Sequence, residues 1–176
     1  MSITSAVILA AGKGTRMKSK RPKVLHSIAG KPMVSHVLAA VGEAVKREHV
    51  YIVTGYEAEL VEAELGGAYT YVRQEKQLGT GHAVMAAKAH LSGQQGETLV
   101  LAGDTPLISG TTLNNLLAVH RQMQAAVTVL TAVVDDPAGY GRIIRNEQGL
   151  IKKIVEHKDA ALDELNVREI NAGIYC

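Results

Sequence analysis

Ser5-Ala6-Val7-Ile8-Leu9-Ala10-Ala11-Gly12-Lys13-Gly14-Thr15-Arg16-Met17 stands near the start of the 176-residue chain. Its first part is a short apolar run, as a buried strand requires. Its second part is a loop of small residues, over which backbone N–H groups can approach an anion. Arg16, Lys18, Lys20, Arg21 and Lys23 follow closely. Cations crowded in this way repel one another unless an anion holds them together. The stretch therefore predicts a strand running into a phosphate cradle, with Arg16 and Lys23 as its working cations. Lys18, Lys20 and Arg21 read as a solvated face. Two commoner fingerprints are excluded. A dinucleotide-binding turn needs a third glycine or alanine where Met17 stands, and a P-loop needs Gly-Lys-Ser/Thr five residues after Gly12. Alone, the loop also reads as an ordinary tight β–α connection.

Strand-like and helix-like stretches alternate beyond it. Ala6–Leu9, Val50–Thr54, Tyr69–Val72, Leu99–Ala102 and Ala126–Val133 are short and rich in strand formers. Met33, Val37, Leu38, Val41 and Val45 fall at helical spacing behind Pro32, and residues 57–65, 81–91 and 111–124 also read as helices. The alternation predicts an α/β fold: a Rossmann-like, mostly parallel sheet flanked by helices. After Val133 a turn-rich loop leads into a hairpin of Arg142–Arg145 and residues 150–156, turned at Glu147-Gln148-Gly149. Ile170–Cys176 reads as a last strand, and its apolar end predicts a truncated chain.

Composition narrows the function classes. A hydrophobic content of 47% and a charged content of 20% suit one soluble domain. The net charge of +2, with basic residues concentrated between Lys13 and Lys31, argues for a local anionic ligand and against nucleic acid. Trp and Phe are absent, so base-stacking platforms are not expected. With Cys176 as the sole cysteine, neither an internal disulfide nor a cysteine metal cage can form. There is no signal peptide or spanning segment to read, so no membrane is expected and the chain reads as cytoplasmic.

Two further places carry chemistry. Gly103-Asp104-Thr105-Pro106 follows an apolar run, and ligands of open α/β sheets lie beyond the carboxyl ends of such strands. Asp104 would share that edge with Gly12, where one carboxylate and substrate phosphates can hold Mg²⁺. Asp104 also reads as a cap for the next helix or turn. Gln74 and Gln77-Leu78-Gly79-Thr80-Gly81-His82 form a second small-residue loop, and Gln74 could offer a base both a donor and an acceptor. An ordinary helix start explains the loop equally well. The histidines show no zinc-type pair on a helix, and His26, His36, His82 and His120 read as packed or surface residues.

Taken in order, residues 9–17, Pro22-Lys23-Val24-Leu25-His26, Gly30-Lys31-Pro32-Met33, the two loops above, Gly139-Tyr140-Gly141-Arg142, Val155-Glu156-His157-Lys158-Asp159 and Glu169-Ile170-Asn171 resemble the sugar-nucleotide nucleotidyltransferases. Within them the chain looks like the uridyltransferase part of the bacterial bifunctional N-acetylglucosamine-1-phosphate uridyltransferase/glucosamine-1-phosphate N-acetyltransferase family. The resemblance implies a nucleotide-diphospho-sugar transferase fold, incomplete at the C-terminus, in which residues 1–176 are the N-terminal part of one domain. It implies UTP and N-acetylglucosamine 1-phosphate as substrates, Mg²⁺ as cofactor, and a product used in peptidoglycan and lipopolysaccharide assembly. By the same resemblance, Leu9, Ala10, Ala11, Gly12, Gln74, Gly79 and Thr80 hold the uracil. Arg16 neutralises the triphosphate and Lys23 grips the phosphate bridge. Gly103 and Asp104 line the site, with Asp104 binding the metal, and Gly141, Glu156 and Asn171 hold the sugar. Ala172-Gly173 stands where the family commonly has Thr-Gly. A later Asn metal ligand and a β-helix acetyltransferase domain lie beyond what this chain contains. Homo-oligomers are expected only with that domain, and weak turnover is expected of residues 1–176 alone. A transferase for another sugar phosphate or nucleotide, or a non-catalytic binding module, are the alternatives.

Overall fold

Ile3–Leu9 forms strand β1, whose central residues Ala6, Val7 and Ile8 are fully buried. A strand covered on both faces by helices cannot alternate apolar with polar residues, which is why this run is continuous. The computed structural model describes residues 3–14 and 17–176. After a 3₁₀ turn at Lys23–Leu25, β2 (Ser27–Ile28) and β3 (Lys31–Pro32) make a small hairpin that leads into α1 (Met33–Val41). Then follow β4 (Val50–Thr54), α2 (Ala58–Leu65), β5 (Thr70–Arg73), α3 (Thr80–Ala86), α4 (Lys88–Leu91), β6 (Gly96–Ala102) and α5 (Gly110–Gln122). The rest comprises β7 (Val129–Val133), β8 (Arg142–Arg145), β9 (Ile151–Val155), α6 (Leu162–Leu165) and β10 (Glu169–Tyr175).

The main sheet runs β5-β4-β1-β6-β10-β8-β9, with β7 also paired to β10. Its first half is parallel, in the registers Ala6↔Val50, Leu9↔Ala102 and Val53↔Val72. Its second half is antiparallel: β10 pairs with β6, β7 and β8, and β8 with β9. The α/β sheet flanked by helices expected from the sequence is present, with β10 joining the two halves.

Successive strand residues face opposite sides, so β1 serves two cores. Ala6 and Ile8 pack with Val34, Val37 and Val41 of α1 and with Leu113 and Leu117 of α5. Val7 packs with Tyr51, Val53, Ala83 and Ala87 on the other side.

Several boundaries differ from the periodic reading. The helix expected to reach Val45 ends at Val41, although Val45 N–H still bonds the Val41 carbonyl and the side chain stays buried. The helix read over residues 81–91 is split at buried Ala87. There the bonding tightens to i−3, with Ala87 N–H on Val84 O and His90 N–H on Ala87 O. The strand expected from Ala126 begins at Val129, while Thr128 exchanges two 2.8 Å backbone bonds with Cys176. The hairpin turn is held by Asn146, whose side-chain oxygen accepts from the N–H of Gln148 and Leu150.

Parallel pairing brings the carboxyl ends of β1, β4, β5 and β6 to one edge. Beyond the strands the ladder continues, with Ala10 N–H on Val53 O, Gln74 N–H on Thr54 O and Gly103 N–H on Leu9 O. Three of the predicted loops are thereby pinned side by side. Among the described residues no helix is long and apolar enough to cross a membrane.

Candidate active site

At that edge lies a cleft of about 680 Å³ between Leu9, Gly12, Lys23, Gln74, Thr80 and Asp104. Its floor is the loop after β1. Ala10 and Ala11 are buried, which leaves backbone as the main surface the loop can present. Gly14 has φ +60°, and a Cβ there would stand 2.7 Å from the Lys23 Cβ. Both the left-handed backbone and the close approach require glycine. The loop and the Lys23–Leu25 turn are thus packed against each other.

Lys23 Nζ donates to Asp104 Oδ2 at 2.6 Å. Their side chains are 40% and 29% exposed, so the pair is reachable from the cleft rather than locked in the core. Asp104 is held in place by its neighbours, Gly103 through β1 and Thr105 through a 2.8 Å bond from its hydroxyl to the Ala102 carbonyl. Asp104 does not cap the next helix. The N-cap of α5 is Ser109, whose side chain accepts from Thr112 N–H.

The opposite wall is Gln74, 5% exposed, with Nε2 near the Gly79 carbonyl at 3.3 Å and His82 Nδ1 at 3.0 Å. Gly79 precedes α3 at φ +101°, ψ 178°, a conformation that essentially only glycine adopts.

Gly141 just before β8, Glu156 just after β9 and Asn171 on β10 form a separate group. Asn171 N–H bonds the Gly141 carbonyl at 2.8 Å, and a Cβ on Gly141 would lie 3.3 Å from Glu156 Oε1. Asn171 donates its amide to the Tyr175 hydroxyl at 2.7 Å and accepts from Gly173 N–H at 2.9 Å. None of the three lines the cleft itself. Arg142, beside them, is fully buried, with Nη2 3.3 Å from His157 Nδ1 and Nη1 donating to the Tyr140 carbonyl. Thr15 and Arg16 lie outside the described residues.

The sequence reads His82 as a packed or surface residue and gives no hint of its contact with Gln74. A histidine eight positions after a glutamine gives no periodic signal; the side-chain contact alone reveals it. A second, open groove of about 560 Å³ lies among Leu38, Glu43, Arg47, Glu64, Leu65 and Tyr69. It lies away from the strand-end loops that build the first.

Among the described residues no three His, Cys, Asp or Glu side chains gather as a metal cluster. The donor set at the cleft fits a cation that takes one protein carboxylate and fills its remaining positions with phosphate oxygens and water.

The small-residue loop, the cation–carboxylate pair and the amide converge at a strand edge, within a segment whose likeness to known proteins marks a nucleotidyltransferase domain. The description MobA-like NTP transferase domain matches residues 6–155, and the chain belongs to that family. It is 52% identical over all its residues to a protein of Halalkalibacterium halodurans and 54% identical to one of Brevibacillus brevis, both named Bifunctional protein GlmU. The chain spans 38% of the length of these relatives. Its fold is that of a UDP-glucose pyrophosphorylase solved with UDP-glucose, at TM-score 0.80 and 21% identity, covering 99% of this chain and 75% of that one.

Proposed function

We propose that this chain transfers a uridylyl group from UTP to N-acetylglucosamine 1-phosphate, giving UDP-N-acetylglucosamine and pyrophosphate. The observation that carries this reading is the Lys23–Asp104 pair at the mouth of a cleft faced by the Gln74 amide. The relatives' shared name supports the choice of sugar and base.

The chemistry asks little of covalent catalysis. A phosphate oxygen of the sugar phosphate, already anionic, attacks the α-phosphorus of UTP. The bond to the β-phosphate breaks, and pyrophosphate leaves with the electron pair. No general base is required, so rate comes from alignment and charge neutralisation. The backbone of Leu9, Ala10, Ala11 and Gly12, with Gln74, Gly79 and Thr80, holds the base. Lys23 grips the phosphates and Arg16 neutralises charge on the departing pyrophosphate. Gly141 admits the sugar beside Glu156, which accepts from a hydroxyl. For Asn171 to read a ring substituent, its bond to Tyr175 has to be exchanged for one to the sugar. Asp104, backed by Gly103, would hold Mg²⁺, which when bound supplies further neutralisation of the phosphates. The setting is the cytoplasm, and the product serves peptidoglycan and lipopolysaccharide assembly.

Pyrophosphate release with Mg²⁺, by a chain extended to its relatives' length, tests the reading. UTP should be used in preference to dTTP and CTP, and N-acetylglucosamine 1-phosphate in preference to glucose 1-phosphate. Preference for another pair would move the chain to a different transferase. Nucleotide binding without turnover, in a chain extended to its relatives' length, would make it a binding module.

A further inference from the structure

The bonds of Gln74 fix which end of its amide is free. A carbonyl oxygen only accepts, so the group facing Gly79 O at 3.3 Å is the NH₂. Its second hydrogen then points at His82 Nδ1, 3.0 Å away. Nδ1 must therefore carry a lone pair, and the proton of the neutral imidazole sits on Nε2. Both Gln74 donors are used, while among the described residues no donor reaches its Oε1. The side chain is nearly buried yet lines the cleft. Turning the amide over would set its oxygen against the Gly79 carbonyl, and His82 would have to move its ring proton to Nδ1 to meet it. The backbone holds the arrangement too, through Gln74 N–H on Thr54 O at 2.7 Å and the glycine-only conformation of Gly79.

We infer that His82 is a positioning residue that locks the Gln74 amide with its acceptor toward the cleft, so that the site selects pyrimidines with a ring N–H over cytosine. The inference rests on the reading that the base sits against Gln74. Uracil and thymine carry N3–H and can donate to Oε1. Cytosine has a bare nitrogen acceptor there, which would face the oxygen lone pairs. A site that leaves two acceptors opposed without water rejects the wrong base strongly. Without His82, the longer bond to Gly79 is left to hold the amide, and a turned amide would accept cytosine.

Two readouts test this on the 176-residue chain. Nitrogen NMR of isotope-labelled protein reports the His82 tautomer, with an unprotonated Nδ1 and a protonated Nε2 expected at neutral pH. A protonated Nδ1 overturns the inference, because Oε1 would then have to face the histidine. Calorimetric titration with UTP and with CTP follows, on the parent chain and on His82→Ala, His82→Asn and Gln74→Leu. His82→Ala should lose about tenfold of the preference for UTP. His82→Asn should restore most of it, since its Oδ1 can stand where Nδ1 stood. Affinity for N-acetylglucosamine 1-phosphate should not move in either. An unchanged UTP preference in His82→Ala, beside a collapsed one in Gln74→Leu, overturns the role of His82 and keeps the base site. An unchanged preference in Gln74→Leu, or binding of neither nucleotide by the parent, overturns the reading of the cleft instead. Should His82→Ala fail to fold, the tautomer and His82→Asn still decide.

Discussion

Lys23 and Asp104, separated by 81 positions in the chain, meet at 2.6 Å where the loops after β1 and β6 face each other. Each is the other's partner while both remain open to solvent. A pair so placed contributes little to stability, below about 1 kcal/mol, because water screens it and solvates either group alone. Under the proposed function, the pair keeps a cation and a carboxylate ready for a ligand. Lys23→Met and Asp104→Asn should each leave the melting temperature nearly unchanged. Pyrophosphate release should fall by about 100- to 1,000-fold in both. A large loss of stability with little loss of turnover would make the pair structural.

Arg16 follows the same logic from the sequence alone. Charge developing on pyrophosphate is neutralised best by a guanidinium, which is always protonated and presents several N–H donors. Arg16→Ala should lower turnover by about 100-fold or more, with unchanged thermal melting. Near-parental activity would remove Arg16 from the mechanism.

Gly14 offers a test of how the cradle is built. Gly14→Ala forces a side chain into left-handed backbone, at a cost of roughly 1–2 kcal/mol. The added carbon also meets Lys23, 2.7 Å away, and must push it off its contact with Asp104. Denaturant unfolding and the KM for UTP should therefore both worsen. A variant with lower stability but an unchanged KM would separate the loop from the lysine.

Acid sensitivity should come in part from the sheet. Arg145 donates Nε and Nη2 to the two carboxylate oxygens of Glu169 at 2.8 and 2.7 Å. These hydrogen bonds hold the Glu169 carboxyl below its ordinary range, with burial opposing them. A depressed folded value means that the group stabilises the fold above its unfolded pKa of about 4.3. That contribution is lost as the pH falls through the folded value. The group is partly exposed, so the effect stays under about 1 kcal/mol. Denaturant midpoints of parent and Glu169→Gln should differ at pH 7 and converge toward pH 3. A constant gap would show that the ion pair is not its source.

Legibility in the sequence followed locality. Strands β1 and β4 could be read because burial on both faces demands continuous apolar runs, and β6 from the apolar run around its buried Leu99 and Leu101; parallel pairing then puts Gly12, Gln74 and Asp104 at one edge. The break at Ala87 could not, since the spacing of apolar residues is the same on either side of it. Nor could the place of β10, because nothing within Glu169–Tyr175 states which strands it will meet. The Lys23–Asp104 contact is likewise a product of distant chain segments brought together, while the Gln74–His82 contact depends on the path of a loop that no periodic pattern states. Side-chain type announced the chemistry; tertiary contact chose the partners.

β10 carries a consequence for how the chain comes into being. Its seven residues, Glu169–Tyr175, sit between β6 and β8 and also bond to β7. On a ribosome, β1, β4, β5 and β6 can assemble as soon as they emerge. The hairpin of β8 and β9 has no seat in the sheet until β10 has been made. Such late, long-range closure slows folding. Nascent chains arrested before residue 169 should hold a protected parallel half and an unanchored hairpin, a state in which chaperones would find their substrate.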